Sequence, residues 1–200
     1  MSQEKGISDF PNKAPNGSAA SAAVFDLLQS ICAAVVFGIL IYLFLFHVTG
    51  VRGTSMYSTL HEGDRLFTSN LFYEPEQGDI IILRTAYYSE PLVKRVIATE
   101  GQTIDIDFDT GDVTVDGIVL QEDYIYERTH FENGFEGPVT VPEGSVFVMG
   151  DNRNNSNDSR LPAIGFIDKR AILGRALFIL IPGTEADGRR DWSRFGTTFR

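Results

Sequence analysis

The sequence predicts a mainly β domain with few helices, preceded by one N-terminal transmembrane helix. Three observations support this prediction. Residues 27–48 contain no Asp, Glu, Lys or Arg; beyond Val51, apolar residues recur with a period of two in short runs; and Gly, Asp, Asn and Pro interrupt those runs. With 200 residues, 43% of them apolar, the chain can form one membrane segment and one domain with a hydrophobic core.

Residues 1–26 are predicted to form a disordered tail. As far as about Ala23 this segment is rich in Ser, Ala, Gly, Pro and Asn and shows no periodicity. Its two lysines are offset by three acidic residues, so the positive-inside rule does not decide which side of a membrane the tail occupies.

The uncharged residues 27–48, "LLQSICAAVVFGILIYLFLFHV", are predicted to form a transmembrane anchor. A helix rises about 1.5 Å per residue, so a segment of this length crosses a hydrocarbon core of about 30 Å. A cleavable signal peptide is the alternative, but its apolar region is shorter, about 7–15 residues, and follows a basic segment. The anchor is therefore the better interpretation.

Residues 49–200 are predicted to form the β domain. Six segments show β-rich or alternating patterns, namely "DIIIL", "PLVKRVIA", "TIDIDF", "DVTVDGIVL", "SVFVMGD" and "RAILGRALFIL". The alternating acids of "DIDFDTGDVTVDG" also suggest a calcium loop, but Thr110 and Asp116 occupy the places where such a loop needs Gly and Glu. Apolar alternation on both sides of "DTGD" instead favours a hairpin that turns at Gly111.

The negative charge is concentrated in one segment. Residues 104–143 contain eleven acidic residues and one basic residue, Arg128, and so account for the whole net charge of −10. An acidic surface argues against nucleic-acid binding, which requires a basic stripe. It would also be repelled by anionic lipid, so we expect this segment to face away from the bilayer; a solubilising surface without further function is the alternative.

Cysteine and histidine do not indicate a cofactor. The one cysteine, Cys32, lies inside the apolar segment, so neither an intrachain disulfide nor a thiolate metal cluster is predicted. His47, His61 and His130 share no metal-ligand spacing. We therefore predict no metal and no cofactor.

A candidate nucleophile, Ser55, lies in "VRGTSMYSTLHEGD", just after the apolar segment. A serine hydroxyl needs a base within hydrogen-bond reach. Lys94, flanked by apolar residues in "PLVKRVIA", is the candidate, because burial lowers a lysine pKa and a neutral amine can accept a proton. The alternatives are a solvated linker around the serine and a lysine whose ammonium extends into water.

A third segment, "VFVMGDNRNNSNDSR", passes from a β pattern into a loop of Gly, Asp, Asn, Ser and Arg. Short polar side chains of this kind hydrogen-bond to nearby backbone and hold a loop rigid. Such a loop could orient an amine.

These segments also resemble a known family. The ordered set "GTSMYSTLHEGD", "GDIIIL", "LVKRVIATEGQTI" and "VFVMGDNRNNSNDSR", behind one N-terminal span, is similar to the bacterial type I signal peptidases. The resemblance implies an antiparallel β-sheet catalytic domain with a smaller inserted β region, here about residues 104–143. It also implies a cytoplasmic tail and a catalytic domain on the extracytoplasmic side of the plasma membrane.

The resemblance implies a role for nine residues. Ser55 matches the family nucleophile and Lys94 its general base. The supporting residues are Ser156, whose hydroxyl would hydrogen-bond the lysine amine, the charged pair Asp158 and Arg160, and their neighbours Asp151 and Arg95. Met56 and Gly53 match positions at the substrate cleft.

Two positions depart from the family pattern. Ser58 replaces a usual proline, which implies a less preorganised loop. Gly53 replaces a serine that in some members hydrogen-bonds the oxyanion, so the Ser55 N–H is the one donor that the resemblance supplies.

The implied activity is a serine endopeptidase that removes signal peptides from exported preproteins, cutting after small residues in Ala-x-Ala sequences. The expected partners are membrane-tethered preproteins and the lipid bilayer, without nucleic acid, and the expected state is a monomer. Two other classes of protein are alternatives. A self-cleaving Ser-Lys repressor would carry a DNA-binding domain and an Ala-Gly cleavage link, which this sequence lacks. A membrane-tethered binding module with an inactive site is disfavoured by the intact Ser55, Lys94 and Ser156.

The basic, aromatic C-terminal segment fits either lipid contact or a solvated tail.

Overall fold

The computed structural model describes residues 19–184 and 188–199. Most of the tail predicted for residues 1–26 therefore lies outside the described residues, but residues 19–26 are helical. The helix α1 comprises Ala19–Leu45, and Ser21–Leu40 within it is long and apolar enough to cross a membrane. The predicted apolar helix is confirmed, with different bounds: it begins before residue 27 and ends at Leu45. Phe46, His47 and Val48, predicted to lie in the span, belong to a β-strand instead.

Among the described residues after α1, the chain forms eleven strands. They are β1 (Phe46–Gly50), β2 (Arg65–Ser69), β3 (Ile80–Leu83), β4 (Leu92–Thr99), β5 (Thr103–Asp107), β6 (Asp112–Val115), β7 (Ile118–Val119), β8 (Val139–Thr140), β9 (Ser145–Met149), β10 (Ile167–Asp168) and β11 (Ile172–Ile181). Every strand pair is antiparallel. The predicted mainly β, antiparallel fold is therefore confirmed.

The strands form two sheets. The larger sheet has the order β1-β2-β11-β3-β4-β9-β10, and the smaller has the order β7-β6-β5-β8. The smaller sheet is inserted between β4 and β9 and falls within the acidic segment that was expected to be an insertion. All six predicted segments contain strands. β1 and β2, "FHVTG" and "RLFTS", were not predicted, because neither has a clear apolar alternation and their pairing with each other defines them.

The hairpin predicted in the acidic segment is confirmed. β5 and β6 pair with Ile104 opposite Val115 and Asp107 opposite Asp112. Gly111 has φ +78°, a conformation that favours glycine. The carboxylate of Asp107 accepts hydrogen bonds from the backbone N–H groups of Asp109 and Thr110, so one of the alternating acids stabilises the turn itself.

The strands that position the site are at the centre of the larger sheet. β4 lies between β3 and β9, with Lys94 opposite Ile81 and Arg95 opposite Met149. One apolar cluster, which includes Met56, packs beneath the β1–β2 connection, and two others cover β4 and β9. Because five consecutive residues of β4 are buried, both faces of this strand are covered.

Candidate active site

Ser55 lies in the loop that connects β1 to β2, and this loop is closed at its base. Val51 donates its N–H to the Asp64 carbonyl at 2.8 Å, and Gly63 donates to the Val51 carbonyl at 3.0 Å. Met56 is 2% exposed and so anchors the loop in the apolar core. The Ser55 side chain itself stays partly exposed. The nucleophile candidate is thus held on a rigid loop and remains accessible.

Lys94 reaches Ser55 from β4. Its Nζ lies 2.6 Å from the Ser55 Oγ, and the residue is 3% exposed. Burial lowers the pKa of Lys94 to about 8; the carboxylates of Asp158 and Asp151 oppose this shift, and the Arg160 guanidinium favours it. The two groups therefore have the separation and the protonation behaviour that a nucleophile and its base require.

Asp158 and Arg160 form a fully buried ion pair in the loop that follows β9. The Arg160 Nε donates to Asp158 Oδ1 at 2.9 Å, and Nη2 donates to Oδ2 at 2.9 Å. Asp158 Oδ2 also accepts the Gly150 N–H at 3.0 Å. Burial raises the pKa of Asp158, but the hydrogen bond and charge of Arg160 outweigh it and hold that pKa below its usual range. The pair remains charged and fixes the loop close to Lys94.

A second buried ion pair connects β4 to the loop that contains Ser55. Arg95 donates to both carboxylate oxygens of Asp151 at 2.8 and 2.7 Å, and its guanidinium lies 3.9 Å from the centre of the Tyr124 ring. Thr59, four residues after Ser55, donates its hydroxyl to Asp151 Oδ2 at 2.5 Å. Arg95 and Asp151 therefore position the loop on which Ser55 lies.

Ser156 differs from the sequence expectation. Its side chain is buried beside the dyad and lines the same small cavity as Ser55 and Lys94. The expected hydrogen bond to the lysine amine is not formed, because the Ser156 Oγ has no partner within the described part of the chain. A Cβ added at Gly150 would lie 2.3 Å from this Oγ and 2.4 Å from the Ser55 carbonyl oxygen. The Ser156 hydroxyl, Gly150 and the Ser55 backbone are therefore tightly packed.

The dyad lines a cleft of about 680 Å³. One wall is formed by residues 49–52, Ser55 and Met56, and the other by residues 88–94. A smaller cavity of about 250 Å³ lies on the other side of the dyad, lined by residues 154–157. Tyr88 borders both cavities, and its hydroxyl accepts a hydrogen bond from the Asn157 amide at 2.8 Å. Gly53, predicted to lie at the cleft, has φ +76° and does not line it.

Three residues of the polar loop after β9 make supporting contacts that were not predicted individually. Asn152 donates its backbone N–H to the Ser55 carbonyl at 3.0 Å and its side-chain amide to the Thr54 carbonyl at 3.1 Å. Asn155 donates to the Thr54 hydroxyl at 3.1 Å. Arg153 is fully buried and pairs with Glu122 at 2.5 Å. All three lie in the polar loop that the sequence marks as rigid, but their partners are distant in sequence.

Comparisons with known proteins show which family this chain is similar to. The family model described as "Signal peptidase, peptidase S26" matches residues 24–181. A signal peptidase I of Bacillus licheniformis is 40% identical over 173 residues, which cover 82% of this chain and 91% of that protein. A probable signal peptidase I of Synechocystis is 38% identical, covering 82% and 83%. A solved signal peptidase I structure from Enterococcus faecalis is 32% identical, covers 52% of this chain and 97% of that one, and has a TM-score of 0.44.

Proposed function

This chain belongs to the peptidase S26 family of signal peptidases, and from that membership we propose that Ser55 and Lys94 form the catalytic dyad. The protein is a serine peptidase that removes signal peptides from exported preproteins, as the relatives do. The observation that supports the dyad is the 2.6 Å separation of the Lys94 Nζ and the Ser55 Oγ, together with the burial that lowers the lysine pKa to about 8.

The proposed reaction has two covalent steps. Neutral Lys94 takes the proton of the Ser55 hydroxyl as Oγ attacks the scissile carbonyl. The C–N bond then breaks, Lys94 gives its proton to the leaving amine, and the signal peptide stays on Ser55 as an ester. A water molecule, deprotonated by Lys94, attacks this ester; the C–O bond to Ser55 breaks, Lys94 returns the proton to Oγ, and the signal peptide leaves as a carboxylic acid that ionises in water. We propose that the Ser156 hydroxyl turns toward the amine during these proton transfers, since it is buried beside Lys94 and has no hydrogen-bond partner among the described residues.

The oxyanion needs hydrogen-bond donors close to Ser55. Within the described residues the Ser55 backbone N–H makes no hydrogen bond, so it is available to a developing negative charge. Its position is maintained because the carbonyl of the same residue accepts the Asn152 N–H. We propose this N–H as one oxyanion donor.

The cleft fits the signal-peptide side of the substrate. An extended peptide could lie between the wall of residues 49–52, Ser55 and Met56 and the wall of residues 88–94, with its scissile carbonyl at Ser55. Side chains alternate along an extended chain, so the first and third residues before the cut would face the enzyme. Val51, Met56 and Val93 are apolar wall residues, which suits small side chains such as alanine at those two positions. We therefore propose Ala-x-Ala specificity.

The helix α1 supports a membrane location for the enzyme. We propose that it is a single-pass anchor in the plasma membrane, that the N-terminal tail is cytoplasmic, and that the β domain is extracytoplasmic. Anchoring confines the enzyme to the surface where tethered preproteins emerge and so raises their effective concentration. We also propose that the enzyme acts as a monomer and, because of its acidic surface, binds no nucleic acid.

The test uses the full chain in detergent micelles with a purified preprotein that ends its signal peptide in Ala-x-Ala. Ser55→Ala and Lys94→Ala should each abolish processing, whereas the matched controls Ser58→Ala and Lys169→Ala should process at the wild-type rate. Product mass and N-terminal sequence identify the cut, and thermal unfolding establishes that the variants are folded. Processing by both dyad variants at the wild-type rate would refute the proposal.

A further inference from the structure

An exposed ion pair connects the two walls of the cleft. Arg52 Nη1 contacts both carboxylate oxygens of Glu90, and the two side chains are 76% and 60% exposed. Arg52 belongs to the wall that includes Ser55, and Glu90 belongs to the wall that includes Lys94. The two ion pairs that support the site are buried, whereas this pair is exposed to solvent at the cleft. It takes no part in the proposed proton transfers.

Chain geometry limits how far the pair can lie from the dyad. Arg52 lies three residues before Ser55, and Glu90 lies four residues before Lys94. A fully extended chain spans at most about 3.3–3.6 Å per residue, and both paths contain bends, so the backbone of the pair lies no more than about 11–14 Å from the backbone of the dyad. An extended bound peptide covers such a distance in three or four residues. Because the first and third residues before the cut face the enzyme, the fourth faces outward, toward the pair.

We propose that Arg52 and Glu90 together balance the charge preference of the enzyme at the fourth residue before the cut, so that acidic and basic side chains are both accepted there. This inference rests on the proposed function and on the direction in which the signal peptide occupies the cleft. We name the pair the Arg52–Glu90 bridge. An acidic substrate side chain would pair with Arg52, a basic one with Glu90, and a neutral one would leave the bridge intact.

The bridge is weak enough for substrates to rearrange it. An exposed ion pair changes an equilibrium constant by a few-fold at most, so a charged substrate side chain can replace either partner at little cost. The wild-type enzyme should therefore accept both signs of charge almost equally. Removal of one partner leaves the other unpaired at the cleft, where it attracts the opposite charge and repels its own.

The experiment uses three preproteins that differ in one residue, with Gln, Lys or Glu at the fourth position before the cut. We define the preference as kcat/KM for the Lys substrate divided by kcat/KM for the Glu substrate. For the wild type this ratio should be within about threefold of one. Arg52→Ala should raise it by about three- to tenfold, Glu90→Ala should lower it by a similar factor, and the exchange Arg52→Glu with Glu90→Arg should restore the wild-type ratio.

Two features separate this effect from a general loss of activity. The change should appear mainly in KM, because the charge contacts the substrate equally before and during the reaction, and it should shrink in 0.5 M salt. Arg170→Ala is the matched control, because it removes another exposed ion pair, with Asp168, outside the cleft. This variant should leave the ratio unchanged.

The outcomes distinguish the two proposals. If the wild type and both single variants cut the Gln substrate but their Lys-to-Glu ratios are the same, the role of the Arg52–Glu90 bridge is refuted and the peptidase assignment stands. A shift of both single variants in the same direction would also refute it. If the wild type cuts none of the three preproteins, both proposals are overturned.

Discussion

The protonation of Lys94 predicts how activity depends on pH. With a pKa of about 8, roughly a tenth of the enzyme carries a neutral amine at pH 7 and roughly nine-tenths at pH 9. Because only the neutral amine can accept the Ser55 proton, kcat/KM should rise about tenfold between these pH values and then level off. A lysine with an ordinary pKa near 10.5 would give a rise of about a hundredfold over the same range, without a plateau.

The lowering of the Lys94 pKa has a clear physical origin. The buried ammonium loses hydration, and this cost favours the neutral form. The carboxylates of Asp158 and Asp151 act against this effect, but each already has an arginine partner, Arg160 and Arg95 respectively. Desolvation therefore dominates over the attraction of Lys94 to the two carboxylates.

The assay measures kcat/KM from pH 6 to 10.5 with a peptide substrate whose ends are blocked and which has no His, Cys, Lys or Tyr. The variant Lys169→Met is the control, since its lysine lies on the surface beside Glu74 and Glu100, away from the dyad. Its profile should coincide with that of the wild type. A wild-type profile that is flat from pH 6.5 to 9.5, or that rises without a plateau to pH 10.5, would contradict the proposed role of Lys94.

Three further predictions concern buried groups of the site. The folded pKa of Lys94 lies below its unfolded value, so the stability that depends on the protonation of this group is greatest above about pH 10.5 and is lost, by about 3 kcal/mol, as the pH falls from there to about 8. Lys94→Met should therefore be inactive, yet its free energy of unfolding at pH 7 should exceed that of the wild type by up to about 3 kcal/mol. Urea unfolding should show this advantage at pH 7 and not at pH 10.5. A variant that is less stable than the wild type at pH 7 would contradict the prediction. Gly150→Ala should lower kcat/KM at least a hundredfold, because its Cβ would lie 2.4 Å from the Ser55 carbonyl oxygen and displace the loop between β1 and β2. A variant with wild-type kinetics would contradict this prediction. Ser156→Ala removes a hydroxyl that has no partner in the described part of the chain, so unfolding experiments should show no loss of stability or a gain of about 1 kcal/mol. Its kcat should fall more than tenfold, and an unchanged kcat would remove Ser156 from the mechanism.

Much of the fold could be predicted because its signals are local. The uncharged segment within α1 and the alternation in six segments each depend on neighbouring residues, and these predictions are confirmed. The predicted end of the helix was wrong, because Phe46, His47 and Val48 are apolar or neutral and fit a membrane span by composition. Their place in β1 depends on hydrogen bonds to β2, about twenty residues away. A local pattern contains no information about such a partner.

For the candidate site, too, local sequence signals gave one part of the answer and long-range packing gave the other. Residue types, together with the order of motifs that resembles the signal peptidases, identified Ser55 and Lys94 as candidates for a nucleophile and a base. The tertiary structure alone decides that their side chains lie 2.6 Å apart and that the Ser156 Oγ lacks a hydrogen-bond partner within the described residues. It alone also reveals the bridge between Arg52 and Glu90. Burial and distance arise from packing between segments far apart in sequence, whereas composition and periodicity are properties of each segment on its own.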